Sequence, residues 1–235
     1  MKIMINILRH LAGEDDSFWQ KIEYETDEKN ETVHSALARI NKLAEEGICD
    51  TEGRKVDAIM WESSCLQKKC GACAMVIDGE PKLACDAFLK DYDGTITIEP
   101  LKKFPIICDL IVDRSIMREN LQQMKIWLED SVKIREKKID DVYDSSRCLQ
   151  CGLCLEVCPN FCPGDSFFGA AAIIPTTRLL SSIEPGKRDE LRKLYRKHVY
   201  SGCGKSLACM DVCPAGIETD RLLSTSNFIS MWKRK

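Results

Sequence analysis

Fourteen of the 235 residues are cysteine, and eleven of these fall into runs whose spacing suits iron held together with inorganic sulfide. Cys65, Cys70, Cys73 and Cys85 lie in SSCLQKKCGACAMVIDGEPKLAC, a C-x4-C-x2-C run followed by a more distant fourth thiol. That is the ligand spacing of a [2Fe–2S] cluster. Four thiolates must surround two irons, so the loop bearing three of them has to curl. Gly71 lets backbone N–H groups approach the sulfurs, and Ala72 and Ala74 leave the room this needs.

A second run, Cys148, Cys151, Cys154 and Cys158-Pro159, has the pattern C-x2-C-x2-C-x3-C-P. In such a run the fourth cysteine ligates a different cluster from the first three, which requires a partner run downstream. Cys203, Cys209 and Cys213-Pro214 supply it as C-x5-C-x3-C-P, with Ser206 where the template has its second cysteine. The crossing assigns Cys148, Cys151, Cys154 and Cys213 to a [4Fe–4S] cluster. Cys158, Cys203 and Cys209 are left as the three thiolates of a [3Fe–4S] cluster. The rival is a fourth iron bound by Ser206 or water, which is disfavoured because a neutral hydroxyl is a poor ligand beside thiolate.

Cys49, Cys108 and Cys162 remain unassigned and are read as small buried apolar side chains. Cys162-Pro163 restarts the C-x3-C-P pattern from Cys158 but has no partner motif. Structural zinc prefers two pairs of ligands rather than runs of three and four. Disulfides call for an oxidising compartment, and the opening MKIMINILRHLAGEDD alternates and then meets acids, so it reads as a first strand rather than a secretion signal. His10, His34 and His198 are distant in sequence from the runs, which disfavours a Rieske-type site. Lys68 and Lys69 read as a solvated charge pair. The chain shows no GxGxxG and no Ser–His arrangement; no catalytic residue is expected on it, and any organic chemistry belongs to a partner.

The formal net charge of -3 argues against nucleic acid as a partner. The longest apolar stretch, Phe167 to Pro175, is far short of the roughly 20 residues that span a bilayer, so membrane contact is expected through a partner.

The elements that must position these thiols differ between the two halves. Alternation predicts strands over Lys2 to Leu8 and Gln20 to Thr26, and Thr32 caps a helix that carries Val33, Leu37, Ile40 and Leu43/Ala44 and stops at Gly47. Short strands follow at Ala74 to Ile77, before an Asp78-Gly79 turn, and at Thr95 to Ile98. After PLKKFP the alternation stops, which puts a domain boundary near Pro105 and divides the chain into 1–105 and 106–235. Helices are expected from Ser115 through Ile134, with Ile116, Leu121, Met124, Trp127 and Leu128 buried, and over Ala170 to Ser181, Asp189 to Tyr200 and Asp220 to Trp232. The predicted class is α+β: a small sheet packed on one helix, then an all-α half.

The three runs in this order, together with CGACAM, PLKKFPIICDLIVD and FFGAAA, resemble the iron–sulfur subunits of the succinate dehydrogenase and fumarate reductase family over nearly the whole length. The resemblance implies an N-terminal β-grasp [2Fe–2S] ferredoxin domain and a C-terminal helical ferredoxin domain. It also implies an FAD-containing flavoprotein partner and a membrane-anchor partner, either a cytochrome b or a quinone-binding subunit. The chain would then be peripheral on the cytoplasmic face of the cell membrane, relaying electrons with no dicarboxylate site of its own. Two departures stand out. The family's first loop usually has Arg after the first cysteine and Gly two residues later, where this chain has Leu66 and Lys68. Ubiquinone-reactive members also carry a Trp shortly after the position of Cys158 and a His just after that of Cys203, where this chain has Asn160 to Pro163 and Gly204; this points to a menaquinone-type or haem-containing anchor. Two alternatives remain: the iron–sulfur subunit of another flavoprotein oxidoreductase, such as a thiol-linked fumarate reductase (whose extra CCG motifs do not occur here), and a zinc-stabilised interaction module.

Overall fold

Strict alternation makes the first strand, β1 (Lys2–Arg9), present Ile3, Ile5, Ile7 and Arg9 inward. The antiparallel strand β2 (Phe18–Glu25) answers with Gln20, Ile22 and Tyr24, in a register that sets Ile5 opposite Ile22. The computed structural model describes residues 1–14, 16–128 and 138–232, and it divides into two units, Met1–Asp113 and Arg114–Lys235. In the first unit five strands have the order β2-β1-β5-β3-β4. The remaining members are β3 (Ala74–Ile77), β4 (Glu80–Leu83) and β5 (Thr95–Glu99), the last running parallel to β1. Helix α1 (Val33–Glu45) buries Val33, Ala36, Leu37, Ile40 and Ala44. Its N-terminus is closed by a reciprocal cap: Ser35 N–H donates to Thr32 Oγ1 at 3.2 Å, and Thr32 N–H donates to Ser35 Oγ at 2.9 Å.

Three strands were not expected. The residues EPKL of β4 lack alternating apolar character, and Pro81 cannot donate to a ladder, yet they pair because Asp78 and Gly79 both take positive φ and fold the chain back in two residues. Proline is tolerated because β4 is the sheet's edge. Beyond Pro105, β6 (Ile106–Cys108) and β7 (Ile111–Val112) form a small pair. The expectation of helix and loop alone after Pro105 is therefore corrected, and the unit ends after Asp113.

The turn between β6 and β7 holds a residue that organises the first unit. Asp109 accepts from Arg9 Nε at 2.9 Å and from Arg9 Nη2 at 3.1 Å, with both side chains 1% exposed. Arg9 also donates to Gln20 Oε1 and to the carbonyls of Asp57 and Ala58, and Asp109 takes the N–H groups of His10 and Met60. Every polar edge of the pair is thus satisfied, and removing one partner strands a buried charge. Asp109→Ala is expected to cost about 3–5 kcal/mol, measured as a lowered midpoint in urea unfolding followed by near-UV circular dichroism.

Among the described residues of the second unit every named element is helical: α2 (Ser115–Gln123), α3 (Ile139–Ser146), α4 (Leu153–Glu156), α5 (Ala170–Ser182), α6 (Asp189–Tyr195), α7 (Ala208–Asp211) and α8 (Thr219–Asn227). π-Helical turns at Arg196–Tyr200 and Phe228–Trp232 prolong α6 and α8. α5 is buried on nearly all sides, and it shares a hydrogen bond between Thr177 and Ser226 of α8 at 2.6 Å. α2 is shorter than predicted. It ends before Lys125, whose φ of +52° breaks the helical phase, so Trp127 (50% exposed) and Leu128 (47%) leave the buried set and Met117, Asn120 and Met124 form it. The predicted stretch 129–134 lies outside the described residues. Among the described residues no helix is long and apolar enough to cross a membrane.

Candidate iron–sulfur centres

In the first unit the β3–β4 hairpin delivers the distant ligand. Ala74 pairs with Leu83, and Ala84 N–H donates to Cys73 O at 3.0 Å, so the chain returns Cys85 beside Cys73 in a 3-10 turn, Ala84–Asp86. The thiols of Cys73 and Cys85 neighbour each other, as do those of Cys65 and Cys70, and Cys73 also feels the charge of Cys70. Four neighbouring thiols are the donor set that a two-iron core needs. Backbone N–H groups of Gln67 (3.4 Å) and Lys69 (3.3 Å) point at Cys65 Sγ, and that of Ala72 points at Cys70 Sγ (3.5 Å). The Gln67 and Lys69 donors draw the Cys65 thiol down to about 7, whereas burial pushes that of Cys73 up to about 12.

The curl of this loop explains why Lys68 is a costly departure. Leu66 and Lys68 stand at φ +55° and +58°, the left-handed region that glycine enters freely. Lys68 partly offsets its strain with an ion pair from Nζ to Asp86 Oδ2 at 2.5 Å, which clips the loop to the turn carrying Cys85. Both partners are substantially exposed, so the clip is worth little. Lys68→Gly is expected to raise stability by about 0.5–1 kcal/mol, read as a higher thermal midpoint with unchanged iron content.

In the second unit the two cysteine runs share one backbone plan. Aligning Cys148-Cys151-Cys154-Cys158 with Cys203-Ser206-Cys209-Cys213 equates Gln150 with Lys205 and Gly152 with Leu207, and all four have positive φ. Each run makes a tight loop and then one short helix, α4 or α7. A hollow of about 390 Å³, counting solvent at its mouth, is lined by Cys148, Cys151, Cys154, Cys209 and Cys213. A second of about 370 Å³ is lined by Cys158, Cys203 and Cys209, with Ser206, Asn160 and Gly204. Arg147 donates to the Ala215 carbonyl and so ties the start of the first run to the end of the second. Close approach at the second hollow needs Gly202, because a Cβ there would lie 2.5 Å from Phe167.

Burial raises the Cys148, Cys151 and Cys154 thiols, Cys151 to about 11 and Cys154 well above the ordinary range, with the charges of neighbouring thiols adding to the effect. Burial likewise raises Cys209 to about 11, helped by Cys158 and Cys203. Crowded, desolvated thiols resist ionising alone, whereas a cationic iron–sulfide core deprotonates them and occupies the space between them. The donor set therefore fits such a core. Among the described residues no three His, Cys, Asp or Glu side chains converge on a single-ion position.

All fourteen cysteines are free of disulfides. Cys49 and Cys162 are exposed and Cys108 is half-buried, so the reading of these three as buried apolar residues is corrected; each lies on a loop or edge with no core to enter. The histidines have structural partners: His10 meets Ser17, His34 packs edge-on against Trp61, and His198 stacks on Phe168 at 4.1 Å. Sequence reasoning missed Gln150, whose side-chain N–H approaches Cys148 Sγ at 3.1 Å. Its place inside the first run, between two ligands, was the available signal.

Comparison with known proteins agrees with this geometry. Residues 4–119 match a 2Fe-2S iron-sulfur cluster binding domain, and residues 144–217 match a 4Fe-4S dicluster domain. The chain is 33% identical over 209 residues to the succinate dehydrogenase iron-sulfur subunit of Bacillus subtilis (strain 168), covering 84% of this chain and 81% of that one. It is 32% identical over 181 residues to the fumarate reductase iron-sulfur subunit of Haemophilus influenzae, covering 68% and 71%. A chain of the Mycobacterium smegmatis Sdh1 complex in the apo form shares the fold, with a TM-score of 0.74 over 97% of this chain and 95% of that one at 18% identity. With paired thiols on a sheet domain, two crossed runs on a helical unit and these relatives, the chain belongs to the succinate dehydrogenase and fumarate reductase iron–sulfur subunit family, as the electron-transfer subunit bearing [2Fe–2S], [4Fe–4S] and [3Fe–4S] clusters.

Proposed function

We propose that Cys65, Cys70, Cys73 and Cys85 hold the [2Fe–2S] cluster, Cys148, Cys151, Cys154 and Cys213 the [4Fe–4S] cluster, and Cys158, Cys203 and Cys209 the [3Fe–4S] cluster. The observation that carries this reading is the crossing of the two runs: Cys213 shares a hollow with Cys148, Cys151 and Cys154, while Cys158 shares one with Cys203 and Cys209. Ser206 lines the three-thiol hollow with a hydroxyl, a weak iron ligand, in favour of three irons over four there. The first unit is a β-grasp ferredoxin domain and the second a helical ferredoxin domain.

When bound, the clusters supply one-electron redox capacity. The chain's own residues do the rest: they space the three centres, exclude water with the apolar linings of α5 and α8, and aim N–H donors at the sulfurs. The chain works between an FAD-containing flavoprotein, where dicarboxylate is handled, and a membrane anchor of menaquinone-binding or cytochrome b type, which holds it peripherally at the cytoplasmic face of the membrane. The absence of Trp and His at the positions ubiquinone-reactive members use, occupied here by Asn160 to Pro163 and Gly204, supports the menaquinone-type anchor. Purification from membranes tests the assembly: the chain is expected to bring down a flavin-containing subunit and to support succinate–menaquinone or menaquinol–fumarate turnover. Recovery without flavin, or with ubiquinone bound beside Cys158, would contradict it.

A further inference from the structure

One half-buried side chain beside the four-thiol hollow has a role that the cysteine ligands do not cover. Gln150 lines the hollow between Cys148 and Cys151, held at φ +52°. Its Nε2 donates to Cys148 Sγ at 3.1 Å and to the Ala171 carbonyl at 3.2 Å. Both N–H bonds of the amide are thereby used, while Oε1 is buried without a partner. The opposite amide orientation would turn Oε1 toward two acceptors, so the donor must face the thiolate.

The second contact explains what holds Gln150 there. Ala171 lies four residues before Pro175 in α5, and proline has no N–H to return to that carbonyl. Pro175 thus leaves an acceptor in the helix wall, and Gln150 fills it while reaching the sulfur. An N–H donor on a cluster thiolate stabilises the more negative, reduced state and raises the reduction potential.

We propose that Gln150, anchored by the carbonyl that Pro175 frees, is a positioning residue that sets the reduction potential of the [4Fe–4S] centre upward through its hydrogen bond to Cys148. This deepens the proposed function and rests on its ligand assignment. The test is a potentiometric titration of the intact complex, monitored by EPR. Gln150→Leu and Gln150→Met keep the volume and remove the donor; each is expected to shift the reduced-to-oxidised ratio at fixed potential about tenfold toward oxidised, a fall of about 59 mV in midpoint for a one-electron couple. Pro175→Ala, which restores the helical partner of Ala171, is expected to shift it in the same direction by less. An unchanged midpoint in both Gln150 variants with the cluster signal intact overturns the proposal. A readout that needs no substitution is pulsed EPR of native complex labelled with side-chain ¹⁵N-glutamine: a nitrogen coupled to the reduced cluster supports the proposal, and its absence overturns it. Should Cys148→Ser leave the [4Fe–4S] spectrum and potential of the complex unaltered, the ligand assignment itself fails and the proposal falls with it.

Discussion

In a Cys154→Ala chain the EPR signal of the reduced [4Fe–4S] centre is expected to vanish, and quinone-linked turnover of the assembled complex to fall by more than about a hundredfold. Cys154 lines the four-thiol hollow, and its thiol is raised by burial and by the charges of Cys151, Cys148, Cys209 and Cys213 around it. Loss of a mere supporting contact to a metal ligand already costs about 10–100-fold, and loss of the ligand must cost at least the upper end. Three thiolates would remain, the complement of the neighbouring site, so any cluster that still forms is of the three-iron kind. Iron quantification with EPR of dithionite-reduced membranes checks this. A native [4Fe–4S] signal in the variant would remove Cys154 from the ligand set.

Removing the clusters altogether is expected to unfold the second unit and spare the first. The cores of the second unit pack directly against the thiols proposed as ligands: Cys154, Cys203 and Cys209 abut the apolar cluster built on Phe168, Ile173 and Tyr195, and Cys148 and Cys213 abut the one built on Ile174, Ile217 and Leu222. Short α4 and α7 are single turns that cannot persist alone. Metal binding at a structural thiolate site contributes on the order of 10–16 kcal/mol, as large as the roughly 5–15 kcal/mol by which a whole domain is stable. The sheet unit has its own core of Ile3, Ile5, Ile7, Leu37, Ile40, Ile96 and Ile98. Chelation after mild oxidation should therefore collapse the helical circular dichroism and expose the segment after Arg114 to protease, with Met1–Asp113 surviving as a resistant fragment. Retention of the helical signal without iron would contradict this account of what holds the second unit together.

What could be read without the structure was whatever is local in sequence. Cysteines within a run are three to six residues apart, so Cys65 to Cys73, Cys148 to Cys158 and Cys203 to Cys213 announce their chemistry directly, as do the alternation of β1 and the Thr32 cap of α1. Features made by distant residues were opaque. Nothing near Arg9 forecasts that Asp109, a hundred residues on, will complete its shell. β4 is specified by a turn and an edge position rather than by its own side chains, and β6 and β7 are too short for alternation to register. The exposure of Trp127 and Leu128 follows from a single left-handed residue, Lys125, that no periodicity reveals. Gln150 was visible as a letter but not as a donor, because its role depends on a carbonyl that Pro175 leaves free in α5.

The account stands on eleven thiolates grouped as four, four and three around iron and sulfide. Chemical analysis of anaerobically purified protein measures this most directly: the prediction is about nine iron atoms and about ten acid-labile sulfides per chain, the totals of the three cluster formulae, with a [3Fe–4S] EPR signal in the oxidised state. Protein that is colourless, holds zinc, or lacks labile sulfide would contradict it.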